Sequence, residues 1–347
     1  MRPLPCSLLG FVLTACSSLD HHIQALPADL AVDPGWEPSS EILQGDGFTR
    51  QDVAIPCGDT HCAAWLYLPE GAALAPVVVM GNGFCGERQM LMTEYAERFA
   101  QAGLAALTFD YRHWGDSGGL PRYVYVAEEQ VDDYAAAVAW ARSSPLVRGD
   151  KLAIWGSSAS GGHVMSAAAR DPRIDAVVAQ VPAIAQSGDH DHSMFPKGTL
   201  WALVRLAFMD KWREKRGKER IYVRAYGYGE ELAFMPRFGP QIEELLGLAD
   251  GRWPNVIAPG VLLDMDEYHP DKAAAQVTAP TLFVVATRDE LVWNEGTRKL
   301  AEEMPDARYE EIDAAHFDFY LGESFEQSVK LEITFLKQHL LGVEPNP

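Results

Sequence analysis

The chain has 347 residues, 48% hydrophobic and 22% charged, an ordinary globular composition with apolar material for one large domain carrying an insertion or for two domains. Its formal net charge of −20 argues against a nucleic-acid partner, because binding phosphates needs a basic footprint. No apolar run approaches the ~20 residues of a membrane-spanning helix.

Residues 1–15 hold one basic side chain, Arg2, and a short apolar stretch through Leu8, Leu9, Phe11, Val12 and Leu13. The stretch ends Leu13-Thr14-Ala15-Cys16, which resembles the bacterial lipobox, a Leu-small-small-Cys cleavage site. The resemblance implies a signal peptide over 1–15 and a mature protein that begins at an acylated Cys16, with a plain secretory signal or an ordinary N-terminus as alternatives. Several acyl chains, at ~0.8 kcal/mol per buried methylene, anchor stably where one does not. Ser17, rather than Asp, resembles the outer-membrane sorting pattern, so the implied location is the bacterial cell envelope, lipid-anchored at the outer membrane and facing the periplasm. Residues 16–45 are punctuated by Pro and Asp without periodicity and read as a tether.

Residues 53–69 read as a hairpin turning at Gly58-Asp59-Thr60-His61. Cys57 and Cys62 flank that turn and can approach each other across it; an exported protein permits a disulfide there, and two buried thiols are the alternative. Cys85 is left without a partner. A buried strand over 76–80 runs into Gly81-Asn82-Gly83-Phe84-Cys85-Gly86. A helix over roughly 88–102 and a strand over 104–109 lead to Asp110-Tyr111-Arg112-His113-Trp114-Gly115-Asp116-Ser117-Gly118-Gly119. The next helix, over 130–142, places Val131, Tyr134, Ala135 and Val138 on one face.

Leu152 to Trp155 is an apolar run suited to a strand buried on both faces. Gly156-Ser157-Ser158-Ala159-Ser160-Gly161-Gly162 and a helical stretch over 163–170 follow it. Three serines compete for the tip of this turn. Ser158 has Gly156 two places before it and the small Ser160 two places after; Ser160 lies further past the strand and lacks the preceding glycine. A Gly/Ser-rich connection without chemistry is the bland alternative.

After a strand over 176–181 the strand–helix rhythm breaks. Residues 187–271 are rich in aromatics, among them Trp201, Phe208, Trp212, Tyr226, Phe234 and Trp253. The basic run from Lys211 to Arg220 reads as a solvated helix face, with anionic lipid headgroups or an anionic substrate as alternatives. Asp189-His190-Asp191-His192 holds ligand-type side chains, but the spacing fits no standard zinc pattern. A strand over 281–286 then delivers Asp289, a short one over 309–312 delivers His316, and an amphipathic helix over 325–341 closes the chain.

Ser158, Asp289 and His316, in that order and each just past an expected strand end, resemble the α/β-hydrolases, whose nucleophile elbow is Gly-x-Ser-x-Gly. The resemblance spans about residues 52–341. Trp155-Gly156-Ser157-Ser158-Ala159-Ser160-Gly161-Gly162-His163, the 253–270 region and His316-Phe317-Asp318-Phe319-Tyr320 look like a bacterial esterase-like subgroup. A broader relation to dienelactone-hydrolase-like and prolyl-peptidase-like enzymes follows. The implied fold is α/β, a mostly parallel central sheet flanked by helices, with a largely helical cap inserted after the sixth strand. The division is then 46–186 for the first part of the core, 187–271 for the cap and 272–343 for the second part.

By the same resemblance Ser158 is the nucleophile, His316 the base and Asp289 the orienting acid, with Asp264, Asp266 and Asp318 as nearby alternatives. The backbone N–H groups of Phe84 and Ala159 would form the oxyanion hole. The Gly81–Gly86 run resembles the family's His-Gly-Phe-x-Gly loop, with Asn82 in place of histidine, and the Asp110–Gly119 run resembles the loop after the family's fourth strand. The implied reaction is hydrolysis of a small-molecule carboxylic ester with an apolar acyl or aromatic group, without metal or organic cofactor. Peptide, thioester and C–C bond cleavage use the same triad. From a different class, a catalytically silent envelope lipoprotein would use the cap for binding alone.

Overall fold

The computed structural model describes residues 19–184, 195–246 and 253–343; Cys16 and the Asp189–His192 run lie outside the described residues. The strands of the first half are β1 (Ile42–Gln44), β2 (Phe48–Cys57), β3 (Thr60–Pro69), β4 (Pro76–Gly81), β5 (Ala105–Phe109), β6 (Arg148–Ser157) and β7 (Ala176–Gln180). An insertion holds β8 (Val223–Tyr226), β9 (Ala233–Met235) and β10 (Val256–Ile257), after which β11 (Thr281–Ala286) and β12 (Ala307–Ile312) complete the set. The central sheet has nine strands in the order β1-β2-β3-β5-β4-β6-β7-β11-β12. From β5 to β12 every pairing is parallel, and β1, β2 and β3 pair antiparallel at one edge.

Parallel strands covered by helices on both sides must be apolar on both faces. In β4, Val77 and Val79 join one core cluster while Val78 and Met80 join the other, and β6 divides Leu152 and Ile154 from Ala153 and Trp155 in the same way. The helices are α1 (Thr93–Gln101), α2 (Ala127–Ser143), α3 (Ala159–Arg170), α4 (Thr199–Glu214), α5 (Gly239–Leu246), α6 (Val261–Asp264), α7 (Pro270–Ala274), α8 (Asn294–Glu303) and α9 (Gly322–Leu341). Helices α1 and α9 pack on one sheet face and α2 and α3 on the other. This is the α/β-hydrolase arrangement that the strand order and motifs imply.

The structure corrects several expectations. Helix α1 begins at Thr93 rather than near 88, because Arg88 is buried in an ion pair with Asp110 and a second one with Asp116 (2.7 Å), which holds residues 87–92 as a loop. On α2, Ala135 is exposed and Asp133 is buried in its place, accepting a hydrogen bond from Arg112 Nε (2.7 Å). Asp133 is held in the core by the Arg112 guanidinium rather than by apolar packing.

The expected tether is, from residue 19 onward, laid against the domain. Leu19 is buried, the Gln24 N–H donates to the Tyr222 carbonyl (2.9 Å), Asp33 accepts from the Gly119 N–H (2.9 Å) and β1 pairs with β2. Such attachments use single hydrogen bonds and caps, which leave no hydrophobic period to read. The insertion follows β7, the seventh strand once the short β1 is counted, and helices make up most of its regular secondary structure among the described residues. It also holds a small sheet, β10-β8-β9, whose strands are too short to show alternation.

Cys57 and Cys62 are bonded as a disulfide at the β2–β3 turn, and Cys85 is a buried free thiol. Among the described residues no helix is long and apolar enough to cross a membrane. Closing so short a loop stabilises the fold by about 2 kcal/mol in the chain-entropy account. The Cys57→Ser/Cys62→Ser variant is therefore expected to unfold at a lower denaturant midpoint, by about that free energy, with an unchanged slope. Chemical denaturation followed by circular dichroism checks this.

Candidate active site

Strand β6 ends at Ser157, α3 begins at Ala159, and Ser158 between them has φ 55° and ψ −118°. That conformation costs an L-residue on the order of 1–3 kcal/mol and persists only where neighbours over-determine it. The Ser158 N–H donates to the Gln180 carbonyl, and its own carbonyl accepts from the Gly161 and Ala183 N–H groups, all at 2.9 Å. A Cβ on Gly156 would lie 2.2 Å from the Ser160 carbonyl oxygen, and one on Gly161 would lie 2.4 Å from Pro182 Cβ. The glycines are therefore required by how closely α3 passes the strand.

The three serines separate cleanly. Ser160 is fully buried, its hydroxyl donating to the Asn82 carbonyl and meeting the Tyr111 hydroxyl at 2.6 Å. Ser157 is buried against the Tyr320 hydroxyl (2.6 Å) and Gln180 Nε2 (3.1 Å). Ser158 alone is partly exposed.

Ser158 Oγ lies 3.1 Å from His316 Nε2, and His316 Nδ1 lies 2.8 Å from Asp289 Oδ2. The other carboxylate oxygen of Asp289 accepts from the N–H groups of Leu291 (2.8 Å) and Val292 (3.0 Å), which orients it. The side chains of His316 and Asp289 are buried. An Nδ1–H held by a carboxylate leaves Nε2 as an acceptor for the serine hydroxyl. The alternative acids are engaged elsewhere: Asp264 pairs with Lys211 (2.5 Å), and Asp318 caps the Ala315 N–H (2.8 Å). The side chain of Asp266 is outside the description. His163, one turn into α3, is fully buried between Gln130 Oε1 (2.9 Å) and the Tyr268 hydroxyl (2.8 Å). Burial pushes its pKa down to about 3, so it stays neutral.

The Gly81–Gly86 loop lies over the elbow, close enough that a Cβ on Gly83 would sit 3.1 Å from Ser158 Cβ. Asn82 clamps this loop from below: its amide donates to the carbonyls of Glu87 (2.7 Å) and Met90 (2.6 Å), and its oxygen accepts from the Gly83 N–H (2.7 Å). The Phe84 N–H takes no partner among the described residues, and Ala159 opens a helix, where N–H groups lack intrahelical acceptors. The two amides sit on the elbow and on the loop covering it.

Two groups of residues escaped sequence reasoning. From the insertion, the Tyr226 hydroxyl donates to the Phe84 carbonyl (2.7 Å) and Trp253 Nε1 to the Cys85 carbonyl (3.1 Å), holding the loop from above. Nothing local in the sequence pairs them with residues 142 and 168 positions earlier. The second group lies beneath the elbow. Glu332 of α9 is fully buried, accepting from Trp155 Nε1 (2.9 Å) and lying 3.1 Å from the Ser328 hydroxyl, which in turn is 3.0 Å from Gln180 Oε1. Here a signal existed, because Phe325, Val329, Glu332 and Leu336 follow the apolar period of α9 and place a carboxyl on its core face.

Burial pushes the Glu332 carboxyl up to about 8, from an ordinary value of 4.5. The folded chain then binds this proton more tightly than the unfolded one, so stability falls as pH rises from about 4.5 through about 8. The contribution is up to ~1.4 kcal/mol per pH unit. The Glu332→Gln variant is expected to lose this component of the pH dependence, which denaturation midpoints measured across that range would reveal.

The family described as X-Pro dipeptidyl-peptidase (S15 family) matches residues 58–317. The chain is 35% identical over 288 residues to the Quorum-quenching protein AidA of Acinetobacter baumannii (strain MDR-ZJ06), covering 83% of this chain and 94% of that one. It is 29% identical over 289 residues to the Thiohydrolase apmlB of Arthrinium phaeospermum, covering 78% and 91%. The crystal structure of the alpha/beta hydrolase GrgF from Penicillium sp. sh18 superposes with a TM-score of 0.71 at 23% identity, covering 84% of this chain and 99% of that one, a likeness of fold. With this fold and this extent of match, the chain is an α/β-hydrolase and belongs to the X-Pro dipeptidyl-peptidase (S15) family.

Proposed function

We propose that this protein is a serine hydrolase that cleaves a carboxylic ester through an acyl-enzyme. The observation that carries the reading is the bridge His316 makes between Ser158 Oγ and Asp289 Oδ2. A serine hydroxyl is too weak an acid to attack unaided. His316 Nε2 takes its proton as Oγ bonds to the acyl carbon, and Asp289 stabilises the imidazolium that forms. The tetrahedral oxyanion is held by the Phe84 and Ala159 N–H groups, where one donor is worth ~3 kcal/mol. The histidine returns its proton to the leaving alkoxide, and water repeats the sequence to release the acid.

The surroundings favour an apolar acyl or aromatic substrate. Phe84 stacks on Phe234 (4.8 Å between ring centroids) and meets Tyr125 (5.0 Å), while Phe317 lies beside His316 (5.1 Å). A thioester is the second reading, supported by the thiohydrolase relative. We also propose that Cys16 is acylated and holds the protein at the outer membrane facing the periplasm, a reading supported by Leu13-Thr14-Ala15-Cys16.

A fluorophosphonate probe is expected to label the protein at Ser158 and nowhere else; an unlabelled protein would return the chain to a binding role. Turnover of paired oxygen and thio esters of graded acyl length, with an X-Pro anilide alongside, decides the substrate class. Ser158→Ala is expected to lower turnover on the order of 10⁶-fold, and Asp289→Asn about 10⁴-fold by mis-setting the histidine tautomer. Ser160→Ala keeps its activity and loses ~1–3 kcal/mol of stability, because the Tyr111 hydroxyl is left without its partner. Collapse of activity at Ser160 with survival at Ser158 would transfer the nucleophile. Mass spectrometry of the mature N-terminus checks the anchor: an unmodified first residue other than Cys16 overturns it.

A further inference from the structure

Helix α4 buries Leu203, Leu206, Ala207 and Asp210. On its opposite side Trp201, Arg205, Phe208 and Trp212 fall within about 60° of one another at 100° per residue. Trp201 is 75% exposed, Phe208 62% and Trp212 46%, and these are among the largest apolar side chains the surface shows. Isolated exposed apolar residues are ordinary, but an aligned stripe of two indoles and a phenyl ring marks a contact surface.

Charge accumulates at one end of this stripe. Arg213, Lys215, Arg216 and Lys218 form no ion pair among the described residues, in a chain whose net charge is −20. The Arg216 guanidinium lies 4.0 Å from the Trp212 ring and Lys218 Nζ 5.2 Å from it, so cations and indole share one patch. The N-terminal segment arrives at the same end. Gln24 pairs with Tyr222 (2.9 Å), whose neighbours Arg220 and Ile221 are bonded to Asp210 on α4 (2.9 and 3.1 Å). Leu19 is buried only three residues after Cys16, a span of about 10 Å when extended.

We propose that this face of α4 seats the protein on an anionic phospholipid surface. Trp201, Phe208 and Trp212 enter the headgroup region, where aromatic side chains with a polar edge are favoured, and the four cations meet lipid phosphates. A second copy of the chain fits the patch less well. Three side chains supply far less than the ~800 Å² per partner of a stable interface. The surface is independent of the ester chemistry, and it orients the domain whether or not Cys16 is acylated.

The test uses the full chain carrying Cys16→Ser, so that no acyl chain contributes. It is floated with vesicles of phosphatidylethanolamine containing phosphatidylglycerol, and with vesicles of phosphatidylcholine. Expected are preferential binding to the anionic vesicles, a blue shift of tryptophan emission, and weakening as salt rises. Two variants, Trp201→Ser/Phe208→Ser/Trp212→Ser and Lys215→Glu/Arg216→Glu/Lys218→Glu, are each expected to lower the partition coefficient on the order of tenfold or more. Both should keep the parent's circular dichroism spectrum and thermal midpoint, which shows that they are folded. Equal binding to both vesicle types, or variants that partition like the parent, overturns the proposal. Self-association in sedimentation that the aromatic variant abolishes also overturns it and assigns the face to a second copy.

Discussion

The molecule depends on one strained peptide. Ser158 stands at φ 55°, a region an L-residue enters only under constraint, because a strand buried on both faces must turn at once into a helix packed against it. Every neighbouring feature follows from that geometry. The glycines at 156, 161 and 162 exist because a Cβ at any of them would meet backbone or Pro side-chain atoms at under 3 Å. The two hydrogen bonds to the Ser158 carbonyl and the one from its N–H, to Gln180, offset part of the strain. The same turn sets Ala159 at a helix N-terminus, where an N–H lacks an intrahelical acceptor.

Ser158 and His316 are then brought into register through further buried polar groups. The short helical turn bearing His316 also bears Tyr320, whose hydroxyl bonds Ser157 beside the nucleophile (2.6 Å). The carbonyl of Phe319 on that turn accepts from the Tyr95 hydroxyl (2.7 Å). Gln180, Ser328 and Glu332 extend the network into α9. A buried polar network rigidifies only when its members are satisfied, and Glu332 meets that condition by keeping a proton near neutrality.

The insertion does more than cover the site. Tyr226 and Trp253 hold two successive carbonyls of the loop that Asn82 clamps from the other side, so loop, cap and core form one packed unit. The N-terminal segment ties into the same insertion through Gln24 and Tyr222.

Much of this was legible in the residues. Apolar runs such as 76–80, 104–109 and 152–155, each followed by Gly or Asp, mark the buried parallel strands and the loops past their ends, because burial on both faces demands apolar side chains. The spacing around Ser158 likewise marks an elbow, since only small side chains fit there. What remained ambiguous was contact between distant positions. Spacing favours Ser158 over Ser160, but the physical difference is tertiary: Tyr111 and Asn82 close over one hydroxyl while His316 lies beside the other. Asp289 was preferred over Asp264 and Asp318 from its place after a strand, but only the folded chain shows those two engaged by Lys211 and by the Ala315 N–H. The attached N-terminal segment, the cap's hold on the loop and the aromatic stripe on α4 were decided by tertiary structure alone. Each depends on which face of an element meets a neighbour, and periodicity reports that an element has two faces without saying what lies against either.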